Sequence, residues 1–344
     1  MCCFEFFKTL KSFWQKYRKN KLAVAGLFFI GLCFLLAISG YLFAPDKSTN
    51  CNEMHLEISK KPIGYSAFFW QANNSEKATI RQVFFNGKKA ENTLFLYDNQ
   101  GDTSFANMVQ YNETTKTKLT KQRFWLGTDG FGRDVLSRLI LGTRVSLSVG
   151  LISVLISLII GISLGLLAGY YRGWVDAAVM WLINVIWSLP TLLLVIAITF
   201  ALGKGFWQIF VAVGLTMWVE LARVVRGQVF ALRETEYVQA AKMLGFGNMR
   251  IMFRHILPNC VGPIVVLCAA NFASAILLEA GLSFLGLGVQ PPTPSWGQML
   301  NENYSDIAFG AAHLALAPGM AIMLLVMAFN FVGNGLRDAL DVKL

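Results

Sequence analysis

The chain has 344 residues, of which 55% are hydrophobic and only 15% charged, with a formal net charge of +10 and a mean hydropathy of +0.51. Soluble domains carry roughly a quarter charged residues, so this composition excludes an ordinary soluble enzyme and points to a membrane protein. The Lys and Arg residues cluster beside apolar segments, not along a stripe, which excludes a nucleic-acid-binding module and suits orientation in a bilayer.

The N-terminal segment is basic (Lys8, Lys11, Lys16, Arg18, Lys19, Lys21) and leads into an apolar run, Leu22 to Ala44. That run exceeds the roughly 7–15 residues of a signal-peptide core and lacks a small-residue cleavage site, so it is read as a retained first span. The six cysteines (Cys2, Cys3, Cys33, Cys51, Cys260, Cys268) show no CxxC or Cys/His ligand spacing, so no zinc site or disulfide framework is expected. Cys2 and Cys3 match a lipidation site only loosely.

Residues 45–124 form a long insert before the next recognisable block. Strand-like stretches at Thr79–Phe85 and Thr93–Tyr97, with turn signals at Asn86-Gly87 and Asn99-Gln100-Gly101, predict a small, partly β unit. Its aromatic residues argue against full disorder. Next comes Leu126-Gly127-Thr128-Asp129 with Gly132-Arg133-Asp134, a Gly- and Asp-rich turn region that orients the insert or meets an external partner.

A helix crossing the bilayer core needs about 20 mainly apolar residues. Five further segments qualify, near 145–169, 178–202, 206–222, 261–287 and 314–334. In the first of them Ser146, Ser148, Gly150, Ser153, Ser157, Gly161, Gly165 and Gly169 recur mostly every three or four residues, which lets another helix approach closely. Pro190 should kink or break the third span. Glu279 falls in the fifth, where an ionisable group lines an aqueous path or hydrogen-bonds between helices. Glu220 has Arg223 one turn on, the spacing of an interfacial ion pair. Pro291-Pro292-Thr293-Pro294 stiffens the following loop, with Trp296 expected at the membrane interface.

Orientation follows from the short loops. The basic N-terminus and loop 223–260 (Arg223, Arg226, Arg233, Lys242, Arg250, Arg254) fall on the cytoplasmic side, and six spans return the C-terminus there. Loop 288–313 carries Glu302 and Asp306 but no Lys or Arg, so it falls outside with the insert.

Loop 223–260 is rich in helix formers. Arg233–Leu244 is expected as one helix, with Glu234 and Glu236 in its first turn favouring the dipole. Gly245-Phe246-Gly247 reads as a turn, Asn248 as an N-cap, and Met249–Ile256 as a second helix that Pro258 ends. Ile251, Met252, His255 and Ile256, with Arg250 and Arg254 alongside, make an edge suited to a groove on a cytoplasmic partner; a helix lying at the membrane interface is the alternative.

These residues resemble a known family. Gln239-Ala240-Ala241, then Gly245, then Leu257-Pro258, is similar to the EAA loop of ABC importer permeases, with Gln239 in place of the usual Glu and His255 where many members have Ile. Leu126 to Arg138, the block Leu282-Ser283-Phe284-Leu285-Gly286-Leu287-Gly288 with Pro291 to Gly297, and Gly335-Leu336-Arg337-Asp338-Ala339-Leu340-Asp341 resemble the C-type permeases for dipeptides, oligopeptides and nickel. The resemblance covers most of 125–344 and the first span, and leaves 45–124 uncovered. It implies an all-α integral membrane protein of the bacterial inner membrane. The expected fold is a six-span type I importer permease with an external insert, its domains being 1–44, 45–124 and 125–344. Partners implied are a second, homologous permease, two cytoplasmic ATPase subunits and a periplasmic substrate-binding protein. This chain would bind no cofactor, with ATP and Mg on the ATPase subunits, and would engage lipid but no nucleic acid. The docking residues carried over are Gln239, Ala240, Ala241, Gly245, Gly247, Asn248, Arg250, Ile251, Arg254, His255, Leu257 and Pro258, with Glu279 and Pro190 as path or gating residues and no catalytic or metal site.

Other classes fare worse. No GxxxxGK[ST] loop exists, since Gly203-Lys204-Gly205 lacks the spacing, and only three His are available, so an enzyme has no visible site. A secondary transporter predicts inverted repeats, and none is evident. That reading also leaves the docking loop unexplained, and a purely structural subunit with no transport path would be favoured by the absence of a partner ATPase. Substrate remains open among dipeptides, oligopeptides, nickel chelates and opines, with peptides favoured because no His or Cys cluster sits in the spans.

Overall fold

The computed structural model describes residues 13–72, 93–97, 103–107, 117–203 and 205–340. Helix α1 is Lys21–Phe43, capped by Asn20, whose side chain accepts from the Ala23 amide. Four strands follow: β1 Tyr65–Ala72, β2 Thr93–Tyr97, β3 Thr103–Asn107 and β4 Thr117–Phe124. Antiparallel pairing joins β1 to β4 and β2 to β3. The expected strand at Thr93–Tyr97 is β2; Thr79–Phe85 and both turn signals lie outside the described residues.

The helical body comprises α2 Val135–Tyr171, α3 Gly173–Trp187, α4 Thr191–Leu202, α5 Phe206–Leu232, α6 Glu236–Met243, α7 Asn248–Phe284, α8 Trp296–Asn303 and α9 His313–Leu340. Among the described residues five helices are long and apolar enough to span a membrane, and α3 with α4 makes a sixth span bent by 93°. The break falls at Ser188–Pro190, as Pro190 led us to expect: Pro restricts the residue before it and has no N–H to donate back into α3.

Packing fixes the direction of each span. Gly161, Gly165 and Gly169 of α2 lie against Trp218, Ala222 and Arg226 of α5 in the same order, so the two helices run parallel. The bent α3–α4 unit must therefore cross back between them. Arg144, near the start of α2, donates to the carbonyls of Ala37 and Ile38 at the end of α1. Asn20, before α1, donates to Asp338 near the end of α9 at 3.2 Å. The start of α1 and the end of α9 thus share one end of the bundle with the α5–α7 connection, where Tyr170 at the end of α2 donates to Asn248 at 2.8 Å. The paired strands β1 and β4 and helix α8 occupy the opposite end.

The structure departs from the sequence expectations at four points. The fourth span is not short: α5 continues to Leu232, because Arg226 pairs with Asp176 of α3 at 2.7 Å and Arg223 lies over the Trp187 ring at 3.5 Å. These polar side chains find partners inside the fold and so do not end the helix. Arg233 is consequently the C-cap of α5, and α6 begins only at Glu236, leaving Glu234 outside its first turn. Pro258 does not end a helix either. Residues Ile251–Ile256 form π-type turns, in which the Leu257 amide bonds to the Met252 carbonyl, and α7 runs on through Pro258 to Phe284. A wider turn tolerates a proline that an unbroken α-helical ladder excludes. Asn248 is the first helical residue and Gly247 the cap.

Candidate functional sites

The connection between α5 and α7 builds a small platform. Val238 and Ala241 of α6 and Ile251, Met252 and Ile256 of α7 are buried together with Leu166, Tyr170, Val225 and Val229 of α2 and α5. Arg233 donates to the Tyr170 carbonyl at 2.6 Å, and Gln239 returns a hydrogen bond to the Arg233 carbonyl at 3.1 Å. Gly245 sits at φ +76°, closing α6 through its bond to Lys242. The Phe246 ring stacks on His255 at 5.7 Å and carries Arg250 above it at 4.3 Å. Burial draws the Lys242 ammonium below its ordinary range.

This arrangement revises which face of the loop is offered outward. Ile251, Met252 and Ile256, expected on the docking edge, are committed to the chain's own core. Ala241 is buried, while His255 and Leu257 are half-buried. Exposed instead are Gln239, Ala240, Gly245, Gly247, Asn248, Arg250, Arg254 and Pro258. A patch that the apolar periodicity missed joins them: Met243 is 92% exposed, Leu244 73%, Met249 63% and Phe253 52%. A cluster of flexible methionines, Leu and Phe bordered by two arginines, held rigidly from beneath, is the composition of a protein-docking surface.

A second site lies within the bundle. A cavity of about 170 Å³ is bounded by Ile186, Trp187, Thr191 and Leu194 around the α3–α4 break, Thr216, Met217, Val219 and Glu220 of α5, and Asn271, Ser274 and Leu278 of α7. Pro190 is exposed beside it. Glu220 does not pair with Arg223, which is turned onto Trp187. Glu279, expected as either a path residue or a helix–helix contact, does not line this cavity. It is fully buried and accepts from Ser283 at 2.7 Å.

At the opposite end an ion cluster fastens the segment before α2 to α8. Asp129 accepts from Arg133 and from Arg138 at 2.7 Å each, and both arginines also reach Glu302, at 2.7 and 2.8 Å. Arg133 and Arg138 are buried, so this block is an internal clasp, not an exposed contact surface. Trp296 is not interfacial: its ring packs on Gly142 and its Nε1 donates to the Leu139 carbonyl at 2.8 Å.

The family described as binding-protein-dependent transport system inner membrane component matches residues 161–344, just over half of the chain. The N-terminal TM domain of oligopeptide transport permease C matches residues 8–62. The glutathione transport system permease protein GsiD of Pectobacterium atrosepticum is 48% identical over 220 residues, 64% of this chain and 73% of that protein. Its Escherichia coli counterpart is 45% identical over 220 residues, covering 64% and 72%. An inward-facing structure of the MetNI methionine ABC transporter shares the fold with a TM-score of 0.50 at 20% identity, over 60% of this chain and 97% of its own. The last part of α2, the broken span, α5 and the platform lie within residues 161–344. The chain therefore belongs to the binding-protein-dependent transport system inner membrane components, as a multi-pass permease subunit of an ABC importer and not itself an enzyme.

Proposed function

We propose that this subunit forms half of the path of a peptide importer, in a heterodimer with a second, similar permease. Two ATPase subunits carrying ATP and Mg would dock on the α5–α7 platform, and a substrate-binding protein would meet the end that carries the β strands. The platform then lies in the cytoplasm with both described helical ends beside it. One observation carries the reading: four exposed apolar side chains, Met243, Leu244, Met249 and Phe253, ride on a connection whose inner face is locked into the bundle. Closure of the ATPase dimer on ATP would press this platform as a unit, and the bundle would pivot about the α2–α5 seam to open its far end.

Peptides are the favoured substrate class. Supporting this are the match of residues 8–62 to an oligopeptide permease domain and the relatives named for glutathione, itself a peptide. Affinity purification of the tagged chain from its own membranes in mild detergent, with mass spectrometry, tests the assembly. A second permease and nucleotide-binding subunits should accompany it. Recovery of the chain alone, repeated after crosslinking, would overturn the docking assignment.

A further inference from the structure

The cavity at the α3–α4 break has a chemistry that peptide transport in general does not require. Glu220 is its sole charged wall residue among those described. It stands near the middle of the 27-residue α5, about 20 Å from either end. Glu220 is exposed, and a carboxylate on a membrane helix is costly unless it faces water or a cation in this way. The nearest cation along the helix, Arg223, is engaged with the Trp187 ring at 3.5 Å, so Glu220 is held open towards the cavity.

The neighbouring groups offer oxygen acceptors. Thr216 donates its hydroxyl proton to the Val213 carbonyl at 2.8 Å, leaving its oxygen lone pairs to the cavity. Asn271, 4% exposed, contributes a side-chain amide, and Thr191 and Ser274 contribute hydroxyls. Irregular backbone at the Ser188–Pro190 break is tolerated at membrane depth where it lines an aqueous cavity.

We infer that this cavity is a way-station for the cationic amine end of a passing substrate, with Glu220 as counter-charge and Thr216 and Asn271 as acceptors. The inference rests on the importer reading above and names the substrate feature that the path would select: a free, protonated amine.

The test uses membranes containing the whole transporter, with native cysteines replaced and Ser274→Cys introduced, since Ser274 is exposed on the cavity wall. Labelling rates are measured with a trimethylammonium methanethiosulfonate and with its sulfonate counterpart, each normalised to a free thiol in solution. The cationic reagent should react at least about tenfold faster, a preference of about 1.4 kcal/mol, and Glu220→Gln should bring the ratio to near one. A casein digest should slow labelling several-fold, and the same digest after N-acetylation should not. A ratio near one with Glu220 present, a ratio unchanged by Glu220→Gln, or equal protection by both digests would each overturn the inference. So would loss of the second permease from the Glu220→Gln complex, which would make Glu220 an intersubunit ion-pair residue instead. These readings need no copurifying ATPase, so they fail separately from the docking assignment.

Discussion

Gly165 of α2 lies so close to Ala222 of α5 that a methyl group on it would stand 2.7 Å from the Ala222 carbonyl oxygen. Gly161 and Gly169 meet α5 in the same way one turn earlier and one turn later, against Trp218 and Arg226. This is small-residue packing between two membrane helices, where close backbone approach supplies van der Waals contact that lipid cannot. It is the most extensive helix pairing in the fold, and it joins the platform to the rest of the bundle.

Gly165→Val should therefore pry the two helices apart, at an overpacking cost of about 1–3 kcal/mol. The expected outcome is a several-fold lower yield of monodisperse protein on gel filtration in detergent and a lower melting temperature. Gly281→Val is the control, because an added side chain there meets nothing within 4 Å. Equal behaviour of the two variants would deny the seam its role.

On the platform, exposure separates docking from folding. Met243→Asp combined with Leu244→Asp removes apolar surface that the chain itself does not bury, so the protein should insert normally, yet lose its ATPase subunits on purification and lose at least about tenfold in uptake. Ile251→Asp places a charge in the buried cluster shared with Val225 and Val229, where an unpaired charge costs several kcal/mol, and should abolish accumulation of the protein. Ala240→Asp and Gly245→Pro belong with the first pair: Ala240 is exposed, and a φ of +76° is closed to proline. ATPase recovery unaffected by the Met243/Leu244 double variant would remove this surface from the docking site.

Much of this was legible in the residues. Long apolar runs gave the spans, the three-to-four spacing of Gly and Ser gave a face of α2 that another helix approaches, without saying which, and Pro190 gave the break. The errors share a cause, which is that periodicity identifies an apolar face without saying what covers it. Ile251 and Met252 looked like a docking edge until α2 and α5 were seen to bury them, whereas Met243 and Leu244 belong to no periodic stripe. Arg223 and Arg226 ended the fourth span on paper because their partners, Trp187 and Asp176, are distant in sequence. Glu279 and Glu220 were each a lone acid in an apolar run. Only packing shows that the first is fully buried with one oxygen accepting from Ser283 and that the second faces a cavity.

Acid should loosen the end opposite the platform through His55. The imidazole is 5% exposed, and burial holds its pKa below the ordinary value, although Glu53, Glu57 and Asp46 pull the other way. A histidine with a depressed folded pKa favours the folded state while neutral. Its contribution is present in full above about pH 6.5 and is lost as pH falls through the folded value. Melting temperature measured from pH 8 to pH 5 should fall more steeply in the wild type than in His55→Gln. Parallel profiles would show that His55 does not carry the effect, and a rise on acidification would mean that the acidic neighbours prevail.

The ion clasp at that end gives the strongest single-residue prediction. Asp129 accepts from the amides of Phe131 and Arg133 at 2.9 and 3.0 Å and from both buried guanidinium groups. Glu302 shares the same arginines but remains 20% exposed. Removing one partner of a buried pair leaves a charge without compensation, at about 3–5 kcal/mol, although the intact pair need not be stabilising against an apolar replacement. Asp129→Asn should thus lower the melting temperature in detergent much further than Glu302→Gln, whose arginines keep Asp129 and whose site admits water. Adding Arg138→Met to Asp129→Asn removes one of the two cations left to share Glu302 and should recover part of the loss. If Glu302→Gln proves as damaging as Asp129→Asn, the clasp depends on total charge and not on the buried hub at Asp129.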